Sequence, residues 1–211
     1  MRYPLTALRV CVVLLASGCH SAKSPNTSNF TKAINQYLDK NGGECISPLR
    51  PLPIDIPVAD LAQTSAIMAQ LSALEKSGLV AGKTMTVVPQ TPLNPFSISR
   101  PAPQPVKRYD ATPEGNRYLR SYFTSIGRAE GFCYGVRQVA SIVKWDEPVT
   151  QGGYAITSVT YTHKIDRLAD WAKSPEMQQA FPLLKSSFGL VGTEQRATLH
   201  PTNQGWEVDG F

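Results

Sequence analysis

The sequence predicts an α+β protein, with a small helical part followed by a C-terminal antiparallel sheet that carries short helices. Three observations carry this expectation. Apolar residues recur at helical spacing in residues 29–40 and 60–77. They alternate with polar residues in 132–145 and 153–166, as in half-buried strands. Between these regions lies a stretch, residues 89–106, with six prolines and few large apolar side chains. At 211 residues and 42% hydrophobic content the chain has enough apolar material for a core, in one or two small domains.

Each element has its own signal. Residues 21–29, SAKSPNTSN, are small and polar and read as a tether. The first helix covers 29–40, with Phe30, Ala33, Ile34, Tyr37 and Leu38 on one face and Asn41-Gly42-Gly43 as its stop. Four prolines make 46–58 extended. A second helix runs from Asp60, which can cap it, to Ser77, with Leu61, Ile67, Met68, Leu71 and Leu74 as its apolar face and Gly78 at its end. Residues 79–88 form a strand with a turn at Ala81-Gly82. Beyond the proline-rich stretch, Thr112-Pro113-Glu114 opens a third helix reaching about Phe123.

The later part is read as strands. In 132–145, Val139, Ser141, Val143 and Trp145 face one way. In 153–166, Val159, Tyr161, His163 and Ile165 share a face. Ser174-Pro175-Glu176 starts a short helix with Met177, Ala180 and Phe181 on one side. Residues 196–208 form a hairpin turning at Asn203-Gln204-Gly205. The expected organisation is a leader at 1–18, a tether at 19–29, a helical part at 30–88, a linker at 89–106 and an α+β domain at 107–211.

Residues 1–19 read MRYPLTALRVCVVLLASGC. Arg2 and Arg9 precede or flank an apolar run, Val10 to Ala16, which is too short for a membrane span of ~20 residues and fits an export signal. The run ends in Leu15-Ala16-Ser17-Gly18-Cys19, which resembles the lipobox of bacterial lipoproteins. The resemblance implies cleavage before Cys19, a thioether-linked diacylglycerol on that residue and acylation of its amine. Several acyl chains anchor stably where one does not. His20, rather than Asp, implies sorting to the outer membrane.

Removing the signal takes Arg2 and Arg9 from 21 basic residues and leaves 19 against 16 acidic ones, a net charge of +3. That is too mild to argue for nucleic acid. With Cys11 removed and Cys19 lipidated, Cys45 and Cys133 remain, and in an oxidising envelope the expected outcome is one disulfide. The alternative leaves two free thiols, one of them a nucleophile.

Five constellations bear on chemistry. Leu71-x-x-Leu74-Glu75-x-x-Gly78-Leu79-Val80, with Thr112-Pro113-Glu114-Gly115 further on, resembles the helix and wing of bacterial winged-helix regulators over residues 60–123. DNA reading needs basic or polar side chains on that helix, and residues 60–77 offer only Lys76 against Asp60 and Glu75. Cys133 and His163, with Asp146, Asp166 or Asp170 as orienter, form a possible thiol–imidazole pair. His20, His163 and His200 lack zinc-ligand spacing, and no metal or cofactor is expected. Asp146-Glu147 beside Trp145 reads as a solvated turn before a sugar site. Trp145, Trp171, Trp206 and Tyr161 are read chiefly as core.

The expected function is therefore a non-enzymatic interaction or structural module, tethered by Cys19 to the periplasmic face of the outer membrane near an envelope protein partner. Its rivals are a ligand-binding or hydrolytic protein acting on cell-wall material and, third, a DNA-binding regulator.

Overall fold

A computed structural model describes residues 21–88, 102–124, 127–151 and 153–209. The fold is α+β, organised on one long strand that serves two hydrophobic cores. That strand, Gly127–Trp145, follows in chain order as β6.

The first helix, α1, spans Thr27–Asn41. Asn26 caps it by accepting the Asn29 N–H at 2.9 Å. Gly42 ends it: a Cβ there would lie 2.6 Å from the Leu38 carbonyl oxygen, so only glycine closes this turn. Phe30, Ala33, Ile34 and Leu38 are buried, as their spacing predicts, whereas Tyr37 stays exposed.

β1, Gly43–Ile46, pairs antiparallel with β6 over Phe132–Val136. The chain then forms β2 (Ile54–Pro57), a 3-10 turn (Val58–Asp60), α2 (Ala66–Lys76) and β3 (Val80–Val87). β4 (Gln104–Ala111) pairs with both β2 and β3, giving a small sheet in the order β2-β4-β3. Asp55 and Arg108 lie opposite each other across β2 and β4 and form a two-point ion pair at 2.7 Å. The guanidinium holds the Asp55 carboxyl below its usual range. Glu75 of α2 clasps the same sheet, accepting the Gly82 N–H at 3.1 Å and the Lys107 ammonium at 2.9 Å.

Several boundaries differ from expectation. α2 begins after Ser65, which caps it, and not at Asp60, whose carboxylate accepts from Gln63 instead. Pro57 and the turn interpose a break that the apolar periodicity does not show. β3 runs straight through Ala81-Gly82, because Gly82 pairs with Tyr109. Residues 89–101 lie outside the described residues, but β3 and β4 on either side of them are hydrogen-bonded neighbours, and Gln104–Val106 already belong to β4. α3 is short, Pro113–Tyr118, capped by Thr112. The chain then turns into β5, Leu119–Thr124, where the local pattern predicts helix to Phe123. Pairing of Leu119 with Phe132 through Thr124 with Gly127 overrides the local helix signal.

The main sheet runs β1-β6-β8-β9-β10, with β5 also on β6 and β7 (Val149–Gln151) on β8. β8 is Tyr154–Asp166, β9 Glu194–Thr202 and β10 Gly205–Val208. Between β8 and β9 come a 3-10 turn (Asp170–Lys173), α4 (Pro175–Ala180) and α5 (Pro182–Leu190).

The smaller sheet, α2, α4 and α5 enclose one core with Ile54, Leu71, Leu74, Phe132, Met177 and Leu184 at its centre. α1 lies on the later strands and closes the other core, around Phe30, Ile34, Val159, Leu199 and Trp206. Thus α1 packs on strands from 107–211 although it precedes α2 in the chain. Where β1 ends, the helix itself covers the edge of β6: Asn35 Oδ1 accepts the Val139 N–H at 2.8 Å, and the Gly42 carbonyl accepts that of Arg137 at 2.8 Å.

Candidate functional site

Two places in the fold concentrate polar contacts between elements distant in the chain. The first surrounds the junction of α1, β1 and β6. Cys45 and Cys133 stand directly opposite in register and are joined by a disulfide. Beside them Glu44 faces Gly135, whose missing Cβ leaves room for close packing by Ile165. The Glu44 carboxylate accepts from the Tyr134 hydroxyl at 2.8 Å and from the Ser187 hydroxyl at 2.6 Å. Its other oxygen stands 2.7 Å from Arg137 Nε, an ion pair rather than a well-aligned hydrogen bond. Burial, reinforced by the negative charge of Glu44, holds the Tyr134 hydroxyl protonated well above its ordinary range, with Ser187 opposing.

This node is a fastener. Glu44 ties β1 to α5 and to β6, with Oε2 accepting two hydroxyls and Oε1 ion-paired to Arg137. Ser187 donates to a carboxylate that Arg137 already neutralises, which is a poor arrangement for activating a hydroxyl. Replacing Glu44 with Gln is expected to destabilise the protein by about 1–3 kcal/mol, since the amide keeps one acceptor oxygen and sets an NH2 donor against either Arg137 or the Tyr134 and Ser187 hydroxyls. Urea unfolding of the two proteins measures it. A change below about 0.5 kcal/mol would make the node dispensable.

The thiol–imidazole pair does not assemble. Cys133 is in the bridge, and His163 pairs in register with Val139, six residues further along β6 and so roughly 20 Å of strand away. His163 is 3% exposed, on the core side of β8 as its parity predicts. Burial pushes its imidazole below the usual 6.5, Arg137 acts in the same direction and Glu44 opposes. The folded state then binds fewer protons at His163 than the unfolded chain does. Stability contributed here is complete above pH 6.5 and declines as pH falls below it. Urea midpoints between pH 7.5 and 5 are expected to fall, and less steeply in His163→Gln. Parallel profiles would remove His163 from the account.

The other constellations resolve into structure. Trp145 and Trp206 pack edge-on against Phe30 at 5.4 and 5.1 Å. Trp171 sits against Tyr118 and Tyr134. Asp146 and Glu147 are exposed beyond the end of β6, where the Asp146 backbone bonds to Ser158 and Thr157. Among the described residues no three His, Cys, Asp or Glu side chains gather as a metal site, and His20 lies outside them. On α2 the exposed positions are Ala66, Ala69, Ser72 and Lys76, a single basic residue. An open groove of about 470 Å³ lies between α1 and β10. Gln36, Tyr37, Asp39, Lys40 and Glu207 line it, mixed in charge and selecting no one ligand chemistry.

The second place is the start of the described chain. Residues 21–26, part of the stretch 19–29 read as a tether, are hydrogen-bonded to the body. The Ser21 carbonyl accepts from Ser24 N–H at 2.9 Å and from the Asn29 amide at 3.0 Å. The Ser24 carbonyl accepts from both Asn29 and Asn26. The Lys23 carbonyl accepts from the buried Trp206 indole N–H at 3.1 Å. Gly205, at φ 130°, brings its backbone against Ala22. Sequence reading missed this because each partner is a carbonyl, which no side-chain pattern announces. The Asn26…Asn29 spacing was the one available hint. Cys19 itself lies outside the described residues.

Comparison with protein-family models, with curated proteins and with solved structures finds no match to this chain.

Proposed function

We propose that the protein is a lipid-anchored envelope protein, held by Cys19 at the periplasmic side of the outer membrane, with a non-enzymatic interaction or structural role toward an envelope partner. The observation that carries the reading is the placement of Ala16-Ser17-Gly18-Cys19 at the end of the apolar run. Two further facts support it. The only other cysteines beyond the leader are paired with each other, as an oxidising compartment favours. The Glu44 carboxylate of the polar node is engaged by Tyr134, Ser187 and Arg137 of the same chain, which suits a scaffold.

The hydrolytic reading has no assembled nucleophile and base among the described residues. The regulator reading places one lysine on the exposed positions of α2, too few for the phosphate contacts that dominate DNA affinity.

Intact mass of the protein extracted from membranes tests the proposal. The expected mass lacks residues 1–18 and carries two or three acyl chains, with alkylation of Cys45 and Cys133 only after reduction. Cys19→Ala is expected to remain unprocessed and unacylated. An unacylated wild-type protein in the soluble fraction would overturn the anchor.

A further inference from the structure

We infer that the end of the molecule formed by residues 21–26 and the β9–β10 turn is its membrane-facing surface, resting on the phospholipid headgroups, and that the smaller sheet is held at the far end of α1. This rests on the lipid-anchor reading and goes beyond it, because an anchor fixes attachment but not orientation.

The argument begins with chain length. Cys19 is two residues from Ser21, a reach of at most about 7 Å even when fully extended. A tether running to residue 29 would have let the body tumble. Here the slack is gone, because Ser21, Lys23 and Ser24 carbonyls are engaged by Asn29 and by Trp206, itself part of the core. A diacylglycerol on Cys19 sits at the glycerol level of the bilayer. A body that starts within about 7 Å of it must touch the headgroup layer with whatever surrounds Ser21.

The chemistry of that surface fits the occupant. Ala22, Lys23, Asn203 and Gln204 are exposed there, and Lys32 and Glu207 line the same hollow as Ala22 and Gln204, so the two lysines outweigh one carboxylate. These are small or polar side chains with lysine ammonium groups, suited to lying on phosphates and not to entering hydrocarbon. From this end α1 extends for 15 residues, about 22 Å. Only at its far end do β1, Glu44 and, through Ser187, α5 begin. The first core, with the smaller sheet, is therefore carried away from the anchor by the length of a rigid helix.

The test uses the acylated protein purified from membranes with its disulfide intact. Asn203→Cys and Leu183→Cys are each labelled, without reductant, with a fluorophore. Leu183, on α5, is 84% exposed, so a label there displaces no buried side chain. Each protein is placed in vesicles of phosphatidylethanolamine and phosphatidylglycerol containing a lipid with a headgroup nitroxide. The label at 203 is expected to be quenched several-fold more than the label at 183. Inserting ten Gly/Ser residues between His20 and Ser21 adds a mean reach of about 18 Å and is expected to erase the difference. Acylated protein in which both positions are quenched equally, or 183 more, overturns this inference and leaves the anchor standing. Protein whose mass carries no acyl chains overturns the anchor reading, and this inference with it.

Discussion

Phe30→Ala is expected to cost about 3–5 kcal/mol. Phe30 has no exposed surface and is held between Trp145 and Trp206, so truncation leaves a cavity lined by two indoles that cannot collapse onto alanine. The loss of two edge-on ring contacts adds to the lost transfer energy. For a chain of this size the melting temperature is expected to fall by roughly 10–15 °C. Phe30→Leu refills most of the volume and is expected to lose much less. Urea unfolding followed by tryptophan emission measures both, because two of the three tryptophans report on this site. A loss under about 1 kcal/mol would mean that α1 is not an integral wall of the second core.

Breaking the Cys45–Cys133 bridge is expected to cost about 2–4 kcal/mol, because it releases a loop of 87 intervening residues in the unfolded chain. The double replacement Cys45→Ser/Cys133→Ser, or reduction of the wild type, is expected to lower the melting temperature by roughly 5–15 °C. Reductant should leave the double variant unaffected. Equal melting of oxidised and reduced wild type would show that pairing of β1 with β6 stands without the bridge.

These two sites also show what the sequence reveals and what it hides. The face of α1, the alternation of β8 except at buried Thr160, the Ser174 cap and the 196–208 hairpin were all legible, because each is set by neighbours a few residues apart. β6 was legible only in outline. Strict alternation puts Val139, Ser141, Val143 and Trp145 on one face, yet two register shifts intervene, after Val139 and after Ile142. Each irregularity moves the following side chain to the other face. Val139, Ile142 and Trp145 consequently meet the core, while Ser141 and Val143 face solvent. A bulge is fixed by the partner strand, so no local pattern announces it.

The same distinction holds for the functional reading. Pairing of the two remaining cysteines follows from a count of residues, and the structure joins them. The Glu44 node brings together residues 44, 134, 137 and 187, and its only trace in the sequence is a glutamate next to a cysteine. α5 was missed because Leu183, Leu184 and Phe188 show no clear apolar stripe, and Leu183 points outward.

The wrapping of α1 by the last strands has a consequence for the order of folding. A 15-residue helix is marginal alone in water, and this one buries its apolar face against Val159, Leu199 and Trp206. A chain made from its N-terminus presents the helix first and its receptor last. Phe30 and Ile34 thus remain without their native cover until the β9–β10 hairpin has emerged, some 175 residues later. The hairpin acts as the closing step of assembly, and a chain stopped before Trp206 would carry an exposed, adhesive helix at its other end.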